Sequence, residues 1–472
     1  MHLNRLQILF IILLASLLFF SCKKPVVLLI KPAPDLGEIQ KRGKITVITK
    51  NNSISYFVYK AEPMGFNYEL LKLFAQKIDV KLEILVVDDI DTAFSYLKNH
   101  RCDLIAMALN ITPERLDQYS FSVPYLKSKQ VLIQKSPSDW KAMSIKQSDN
   151  LLIRSPLQLA GKKVYIQPYT SFRENLEKIS YITGKKVMVV DSADIQTEEL
   201  VSMVSDGTIK YTVCNEIEAK VLQRYYPNID ISTPVTLPED LGWAVNKGSD
   251  SLLQALNNWL SDFITTKKYK QLVRKYFNNP GSVKIMNSTF FSEKGNKISA
   301  YDNSIKKYSK KIGWDWRIIA ALMFEESQFN NDTANYRSGA SGIMQLMPAT
   351  ALRLNINATS NVDANIWAGI MYIKSLEKQF MDITDRNERI KFVLAAYNAG
   401  IAHIFDARRL TKKYGRNMYI WDDNVEYYLR KKSNRKYYSD PVVYYGYYRG
   451  EETYRFVRDI MERYQHFKNV IK

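Results

Sequence analysis

Two adjacent carboxylates, Glu325 and Glu326, close a strongly apolar stretch and are the side chains best suited to acid–base chemistry. One helical face, marked by steps of three and four residues, carries Ile319, Leu322, Met323, Glu326 and Phe329. Apolar surroundings disfavour an ionised carboxyl and raise its pKa, which is the direction a general acid needs near neutral pH. Glu325 points about 100° away and is expected to face solvent.

A glutamate on an apolar face has a second explanation. Glutamate is almost never fully buried without a partner, so Glu326 could instead form a structural ion pair with a distant Arg or Lys. The helix alone leaves both readings open.

Three further motifs follow Glu326 and Ser327 in the last third of the chain. They are residues 339–348 (GASGIMQLMP), 395–400 (AAYNAG) and 449–457 (RGEETYRFV). In order and spacing, the set resembles the goose-type-lysozyme-related lytic transglycosylases. The resemblance covers about 170 residues of the last part of the chain.

That resemblance implies a chemistry that one carboxylate can carry out. Glu326 would protonate the oxygen of the β-1,4 bond between N-acetylmuramic acid and N-acetylglucosamine in peptidoglycan. The same group would then deprotonate the muramic C6 hydroxyl, which closes to a 1,6-anhydro end. Ordinary glycosidases use a second carboxylate, and a plain hydrolase remains an alternative. No cofactor or metal is expected.

The family's substrate-contacting positions correspond here to Ser327, Gly339, Gly342, Met344, Gln345, Tyr397, Asn398 and Phe456. The last of these departs from the family, which usually has a tyrosine whose hydroxyl reaches the glutamate. Either Tyr454 or another neighbour supplies that hydroxyl, or burial alone tunes Glu326.

Helical periodicity over 302–311, 316–329, 363–380, 388–398 and 452–464 predicts a mainly α domain over residues 296–472. The family resemblance implies that this domain is lysozyme-like. Residues 281–295 are polar and are interpreted as a linker. Within the domain, tyrosine pairs alternate with Arg and Lys between residues 427 and 448. This stretch could bind sugar rings, or it could be an ordinary packed surface.

Residues 35–280 alternate strands and helices, beginning with β-branched residues 44–49, which predicts parallel α/β units. Several segments resemble the amino-acid type of solute-binding proteins, family three: 64–70, 102–105, 111–115, 121–125 and 159–164. The resemblance implies two lobes around a ligand cleft. The predicted fold class is therefore multidomain, with a two-lobed α/β domain before the helical one.

Four residues of this domain match ligand contacts in that family. Arg115 would pair with a ligand carboxylate, Tyr56 would stack on the ligand, and Thr170 would contact an anion at a helix start. Asn215 stands where an aspartate usually holds the ligand amine, and because a neutral amide cannot compensate an ammonium, this disfavours a free amino acid. A carboxylate-bearing ligand such as a wall peptide is expected. Arg115 could also be a structural ion-pair residue.

Residues 1–21 predict a signal peptide, because Arg5 precedes an apolar run, residues 8–20, that is too short to span a bilayer. Cys22 follows directly and resembles a lipoprotein processing site, with residues 22–34 as a tether. The alternative is an ordinary cleaved signal. We expect a lipid-anchored protein on the periplasmic side of the outer membrane.

The formal net charge of +19 implies an anionic partner, and export makes nucleic acid an unsuitable one. An acidic wall polymer or a membrane surface fits better. Cys102 and Cys214 lack metal-type spacing and are expected to be buried free thiols. A different class of function also remains, a receptor that binds solute or glycan without cleaving it.

Overall fold

The computed structural model describes residues 33–193, 195–333, 339–354 and 361–471. The predicted signal peptide, Cys22 and nearly all of the proposed tether lie outside these residues. Within the described part, none of the helices combines the length and apolar character needed to cross a membrane.

The first lobe is a six-stranded sheet in the order β4-β1-β5-β13-β6, with β7 also paired to β13. Strands β1, β4 and β5 are parallel, as the alternating pattern predicted, and β13 returns antiparallel from the second lobe. A short hairpin stands beside this sheet. The strands are β1 Lys44–Thr49, β2 Phe57–Tyr59, β3 Glu62–Met64, β4 Lys81–Val86, β5 Leu104–Asn110, β6 Tyr119–Phe121, β7 Leu126–Ser128 and β13 Glu239–Asn246.

The second lobe is a five-stranded sheet in the order β10-β9-β11-β8-β12. The chain enters it between β7 and β8 and leaves it between β12 and β13, so two crossings join the lobes. The strands are β8 Gln130–Lys135, β9 Lys163–Ile166, β10 Met188–Asp191, β11 Tyr211–Asn215 and β12 Ile229–Pro234.

Helices cover both sheets of this first domain, which confirms the predicted two-lobed α/β fold. They are α1 Leu36–Arg42, α2 Phe66–Lys77, α3 Ile90–Lys98, α4 Pro113–Leu116, α5 Ile145–Leu151, α6 Phe172–Thr183, α7 Thr197–Asp206, α8 Glu216–Tyr225, α9 Asp250–Phe263 and α10 Lys267–Phe277. A 3₁₀ turn covers Pro156–Leu159.

The segment predicted to be a polar linker is folded. It forms α11 Ser282–Met286 and α12 Ser292–Gly295, with Phe291 buried against Phe57 at a ring-centroid distance of 5.2 Å. The Ser292 hydroxyl accepts a hydrogen bond from the Val58 backbone N–H at 3.0 Å. The connection is therefore packed on the hairpin of the first domain.

The last part of the chain is helical, as predicted. Its helices are α13 Asp302–Ser309, α14 Trp316–Ser327, α15 Pro348–Arg353, α16 Val362–Glu377, α17 Arg386–Ala399, α18 Ile401–Lys413, α19 Glu426–Lys431, α20 Arg435–Tyr438 and α21 Gly450–Val470, with single turns at Lys378–Phe380 and Trp421–Val425. The periodicity missed α15, α18, α19 and α20 and ended the last helix too early.

Helix α21 joins the two domains. It packs against α14 on one side and against β2, β3 and β4 of the first lobe on the other. One apolar cluster accordingly runs from Ile45 and Phe66 in the first domain to Ile319 and Val457 in the helical domain. The glutamate helix α14 is thus one helix away from the first domain.

Candidate active site

Glu326 lies in the last turn of α14, a helix that is apolar on all sides. Asp315 begins this helix by accepting the Arg317 N–H at 3.0 Å, and residues 318–324 are all buried. Burial, followed by the neighbouring Glu325 charge, raises the pKa of Glu326 to about 8. At neutral pH this carboxyl is therefore mostly protonated.

Glu325 does not face solvent as predicted. Its Oε1 accepts hydrogen bonds from Arg463 Nε at 3.0 Å and Nη2 at 2.9 Å, and its side chain is 20% exposed. The prediction was wrong because it used helical phase alone, whereas α21 packs over this face of α14. The structural ion pair considered for Glu326 belongs to Glu325.

Residues 341–346 form a tight loop beside the end of α14. Ser327 does not orient Glu326, since its hydroxyl donates to the Ile343 carbonyl at 2.8 Å and so ties this loop to the helix. The side chain of Asn365, on α16, accepts the Met344 N–H at 2.9 Å. Asn365 was missed by sequence reasoning, because no feature of its own segment marked it.

Two glycines of this region have backbone conformations that favour glycine, with φ of 75° at Gly339 and 77° at Gly342. A Cβ at Gly342 would lie 2.3 Å from Asn365 Nδ2, whereas a Cβ at Gly339 would have no neighbour closer than 3.9 Å among the described residues. Gly342 is therefore required for the close contact with Asn365.

Met344 does not line a cleft, contrary to the prediction. Its side chain is buried against Gly369 of α16, where an added Cβ would lie 2.4 Å from Met344 Cε. Its neighbour Gln345 has a φ of 46° and donates from Nε2 to the carbonyls of Gly342 and Thr333 at 2.8 and 2.9 Å. A non-glycine residue in this conformation carries local strain.

Tyr397 and Asn398 end α17 and reach two other elements. The Tyr397 hydroxyl donates to the Met344 carbonyl at 2.7 Å, and its pKa is raised by burial and by the charge of Glu326. Asn398 Oδ1 accepts from Thr453 Oγ1 at 2.6 Å, and Tyr448 in turn bonds Thr453 at 2.7 Å. Thr453 lies in the last motif, yet its role was not predicted.

Phe456 is half-buried and packs against the apolar cluster. Tyr454 is not its replacement, because the Tyr454 ring lies under Arg430, 4.5 Å from the guanidinium carbon, and lines a groove next to β4. Burial and the Glu325 charge are thus the causes of the raised Glu326 pKa.

The tyrosine-rich stretch is partly packed and partly exposed. Tyr414 stacks on Tyr428 at 5.3 Å between ring centroids, whereas Tyr444, Tyr445 and Tyr447 are exposed. Buried Asp406 holds the exposed part by accepting the N–H groups of Tyr444 and Tyr445 at 2.9 and 3.0 Å.

The first domain encloses a cavity of about 90 Å³ between its lobes, lined by Arg115, Thr170 and Asn215. Arg115 spans both lobes, donating to the Asn110 carbonyl at 2.9 Å and the Tyr169 carbonyl at 3.1 Å. The Asn215 Oδ1 is buried and lacks a hydrogen-bond partner among the described residues. The Thr170 hydroxyl donates to the Gln167 carbonyl at 2.8 Å.

Three charged residues of this cavity were not predicted: Lys50, Glu198 and Glu218. Burial lowers the pKa of Lys50 and raises that of Glu198. The pKa of Glu218 is raised to about 7 by burial and by Glu198 against the opposing charge of Lys50. These residues stand outside the segments that resembled solute-binding proteins, so only the fold brings them together.

Tyr56 does not reach this cavity, and the prediction that it stacks on a ligand is corrected. Its ring is fully buried and its hydroxyl bonds His466 on α21. The neighbouring residues Asn52, Ile54 and Ser55 line the cavity instead. The helical domain occupies the surface toward which Tyr56 points.

No group of His, Cys, Asp and Glu in the described residues could hold a metal ion, and Cys102 and Cys214 are buried free thiols.

Comparison with known proteins divides the chain at the same place as the fold. Residues 45–279 match the family model for bacterial extracellular solute-binding proteins, family 3, and residues 303–420 match the transglycosylase SLT domain. Among solved structures, an ancestral arginine-binding protein bound to arginine is 26% identical and covers 50% of this chain and 99% of its own, with a TM-score of 0.42.

Two curated relatives match both parts at once. One, from Desulfosudis oleivorans, is 32% identical over 434 residues, which is 92% of this chain and 92% of its own. The other, from Photobacterium profundum, is 31% identical and covers 91% of this chain and 81% of its own. Each is named membrane-bound lytic murein transglycosylase F.

Proposed function

The chain belongs to the membrane-bound lytic murein transglycosylase F family and is a peptidoglycan lytic transglycosylase, and we propose that Glu326 is its single general acid and base. Glu326 gives its proton to the glycosidic oxygen as the bond to muramic C1 breaks. The ionised Glu326 then takes the proton of the muramic C6 hydroxyl as that oxygen bonds C1. The products are a free N-acetylglucosamine hydroxyl and a 1,6-anhydromuramic end, and Glu326 is protonated again.

The observation that carries this proposal is a half-buried carboxyl at the end of α14 whose pKa is raised to about 8. A group with this pKa is protonated at neutral pH and, once ionised, is a stronger base than an ordinary carboxylate. The adjacent carboxylate, Glu325, forms an ion pair with Arg463 and has no catalytic role in this proposal. Ring closure needs no second carboxylate, because the C6 hydroxyl is already tethered to the reacting sugar.

The residues around Glu326 divide into two roles in this proposal. Gln345, Tyr397 and Asn398 are proposed to contact the glycan through polar groups, with Phe456 providing an aromatic wall. Ser327, Met344 and the two glycines shape the loop of residues 341–346 through its backbone. The exposed tyrosines 444, 445 and 447 are proposed to extend the glycan surface.

Digestion of purified sacculi tests the acid–base role. Wild type is expected to release anhydromuropeptides, Glu326→Gln to release none, and Glu325→Gln, its matched control, to retain measurable release. Reducing muramic ends would identify a hydrolase instead. Binding of sacculi without release by wild type would identify a glycan receptor and overturn the proposal.

For the first domain we propose a small ligand that carries both a carboxylate and an amine, such as a wall-derived amino acid or peptide. Arg115 would bind the carboxylate, with Thr170 beside it. The amine would face Asn215, Glu198 and Glu218, whose acceptor groups surround the same cavity. The two glutamates would thus supply the negative charge that Asn215 lacks.

Calorimetry on the full chain with D-alanine, diaminopimelate and N-acetyl-D-alanine tests this ligand class. Arg115→Ala is expected to weaken binding at least about tenfold, and Glu218→Gln to weaken only the ligands with a free amine. Arg173→Ala is the control, because Arg173 pairs with Asp191 away from the cavity. Equal binding by Arg115→Ala would overturn the assignment.

We further propose that occupancy of this cavity modulates cleavage. The segment that lines the cavity, residues 52–55, leads directly into the hairpin on which α21 packs. Turnover of sacculi by the full chain with and without a ligand found by calorimetry, compared with Arg115→Ala, measures the effect. Identical turnover in all four cases would show that the domains act independently.

The proposed location is the periplasmic side of the outer membrane, through acylation of Cys22 after removal of residues 1–21. The basic residue and short apolar run before Cys22 support this proposal. Labelling with a radioactive fatty acid is expected to mark wild type and not Cys22→Ser, which should appear in the soluble periplasmic fraction. Equal labelling of both proteins would contradict it.

A further inference from the structure

Arg463 on α21 holds both residues that precede Glu326. Its Nε and Nη2 donate to Glu325 Oε1, and its guanidinium carbon lies 3.8 Å from the centroid of the Phe324 ring. The Arg463 side chain is only 13% exposed, so solvent screens these contacts weakly. One guanidinium therefore fixes the side of α14 next to the catalytic carboxyl.

The opposite edge of the same guanidinium is held by the first domain. Arg463 Nη1 donates to the Ala61 carbonyl at 2.6 Å and lies 3.5 Å from Glu62 Oε1. Ala61 is buried at the turn between β2 and β3, with a φ of 65°. The planar guanidinium of arginine can donate hydrogen bonds from both of its edges at once, whereas the compact ammonium group of a lysine cannot.

We propose that Arg463 is a positioning residue for the acid–base step, because it holds the Glu325 carboxylate in place beside Glu326, with the β2–β3 turn of the first domain as its second support. This inference rests on the proposed role of Glu326. It adds Arg463 as the residue that fixes the position of the neighbouring Glu325. When Glu326 gives up its proton, two adjacent carboxylates are ionised together. A Glu325 carboxylate free to move closer would disfavour that state.

The charged and titratable groups around Glu325 and Glu326 come from several elements. Arg463 approaches from α21, Tyr397 from α17, and Glu62 from β3. Arg317 and Tyr464 both donate hydrogen bonds to Asp315 at the other end of α14, and Lys306 of α13 lies over Trp316 there. Within the described chain, Arg463 is the cation that is ion-paired with Glu325.

The test follows the Glu326 carboxyl directly by ¹³C NMR titration of the full chain, with Glu326→Gln assigning its signal. Arg463→Met is expected to raise the midpoint by on the order of one pH unit. In the Glu325→Gln background the same substitution should produce almost no shift, because Arg463 acts through Glu325. The high-pH limb of kcat/KM for sacculi should move with the midpoint.

Two results would overturn the proposal: an unchanged midpoint in Arg463→Met, or an equal shift in both backgrounds. If Arg463→Met does not fold, Arg463→Lys serves in the same cycle and should give a smaller shift that again depends on Glu325. The NMR readout does not require catalysis. A Glu326→Gln protein that still cleaves would therefore refute the proposed function while leaving the Arg463 result intact.

Discussion

The Tyr56 hydroxyl and His466 Nδ1 lie 2.8 Å apart and join the first domain to the last helix. Tyr68 approaches the other ring nitrogen of His466 at 3.4 Å. Burial, with Arg463 and Lys72 nearby, lowers the pKa of His466 from 6.5 to about 3. The interface therefore contains a neutral histidine bonded on both sides by tyrosines.

This arrangement predicts an acid-sensitive interface. The unfolded chain protonates His466 near pH 6.5 but the folded chain only near 3, so stability present above pH 6.5 is lost as the pH falls toward 3. Scanning calorimetry between neutral pH and about pH 4.5 should show a larger loss of Tm for wild type than for His466→Gln, which cannot take up that proton. Parallel losses in the two proteins would contradict the prediction.

The pH dependence of cleavage should follow Glu326. As the general acid must be protonated in the free enzyme, kcat/KM is expected to fall as the pH rises through about 8. Rates of anhydromuropeptide release from sacculi across this range measure the limb. A limb near the ordinary glutamate value of 4.5 would show that the surroundings of Glu326 do not raise its pKa.

Substitution of the two loop glycines should separate backbone strain from a steric clash. Gly342→Ala is expected to lower the free energy of unfolding by about 2–4 kcal/mol, since the new Cβ combines a positive φ with a clash against Asn365. Gly339→Ala is the matched control and should cost only about 1–2 kcal/mol, the strain alone. Urea unfolding of both variants gives the difference, and equal costs would refute the role of Asn365.

Thr453 should matter for activity although it is fully buried. Thr453→Val removes the hydroxyl that links Tyr448 to Asn398, so we expect a loss of about 1–3 kcal/mol in stability and about tenfold in kcat/KM. Thr453→Ser keeps the hydroxyl and should retain most of the activity. An inactive serine variant would point to the methyl group and away from the hydrogen bonds.

Sequence alone determined the two-part organisation and singled out Glu326 as the proposed acid and base. Strand and helix periods depend on local alternation of apolar and polar residues, so β1 and the five predicted helices of the second half lie close to observed elements. Glu326 was found because it interrupts an apolar helical face. Motif order then linked Tyr397 and Asn398 to it.

Tertiary structure decided which side chains those residues meet. Helical phase placed Glu325 in solvent, but the packing of α21 on α14 gives it Arg463. The family resemblance placed Tyr56 in the ligand cleft, but its hydroxyl is hydrogen-bonded to His466 of α21. Lys50, Glu198 and Glu218 come from three separate segments, and only the closure of two lobes places them in one cavity. Contacts between distant segments depend on how whole elements pack, which no local pattern records.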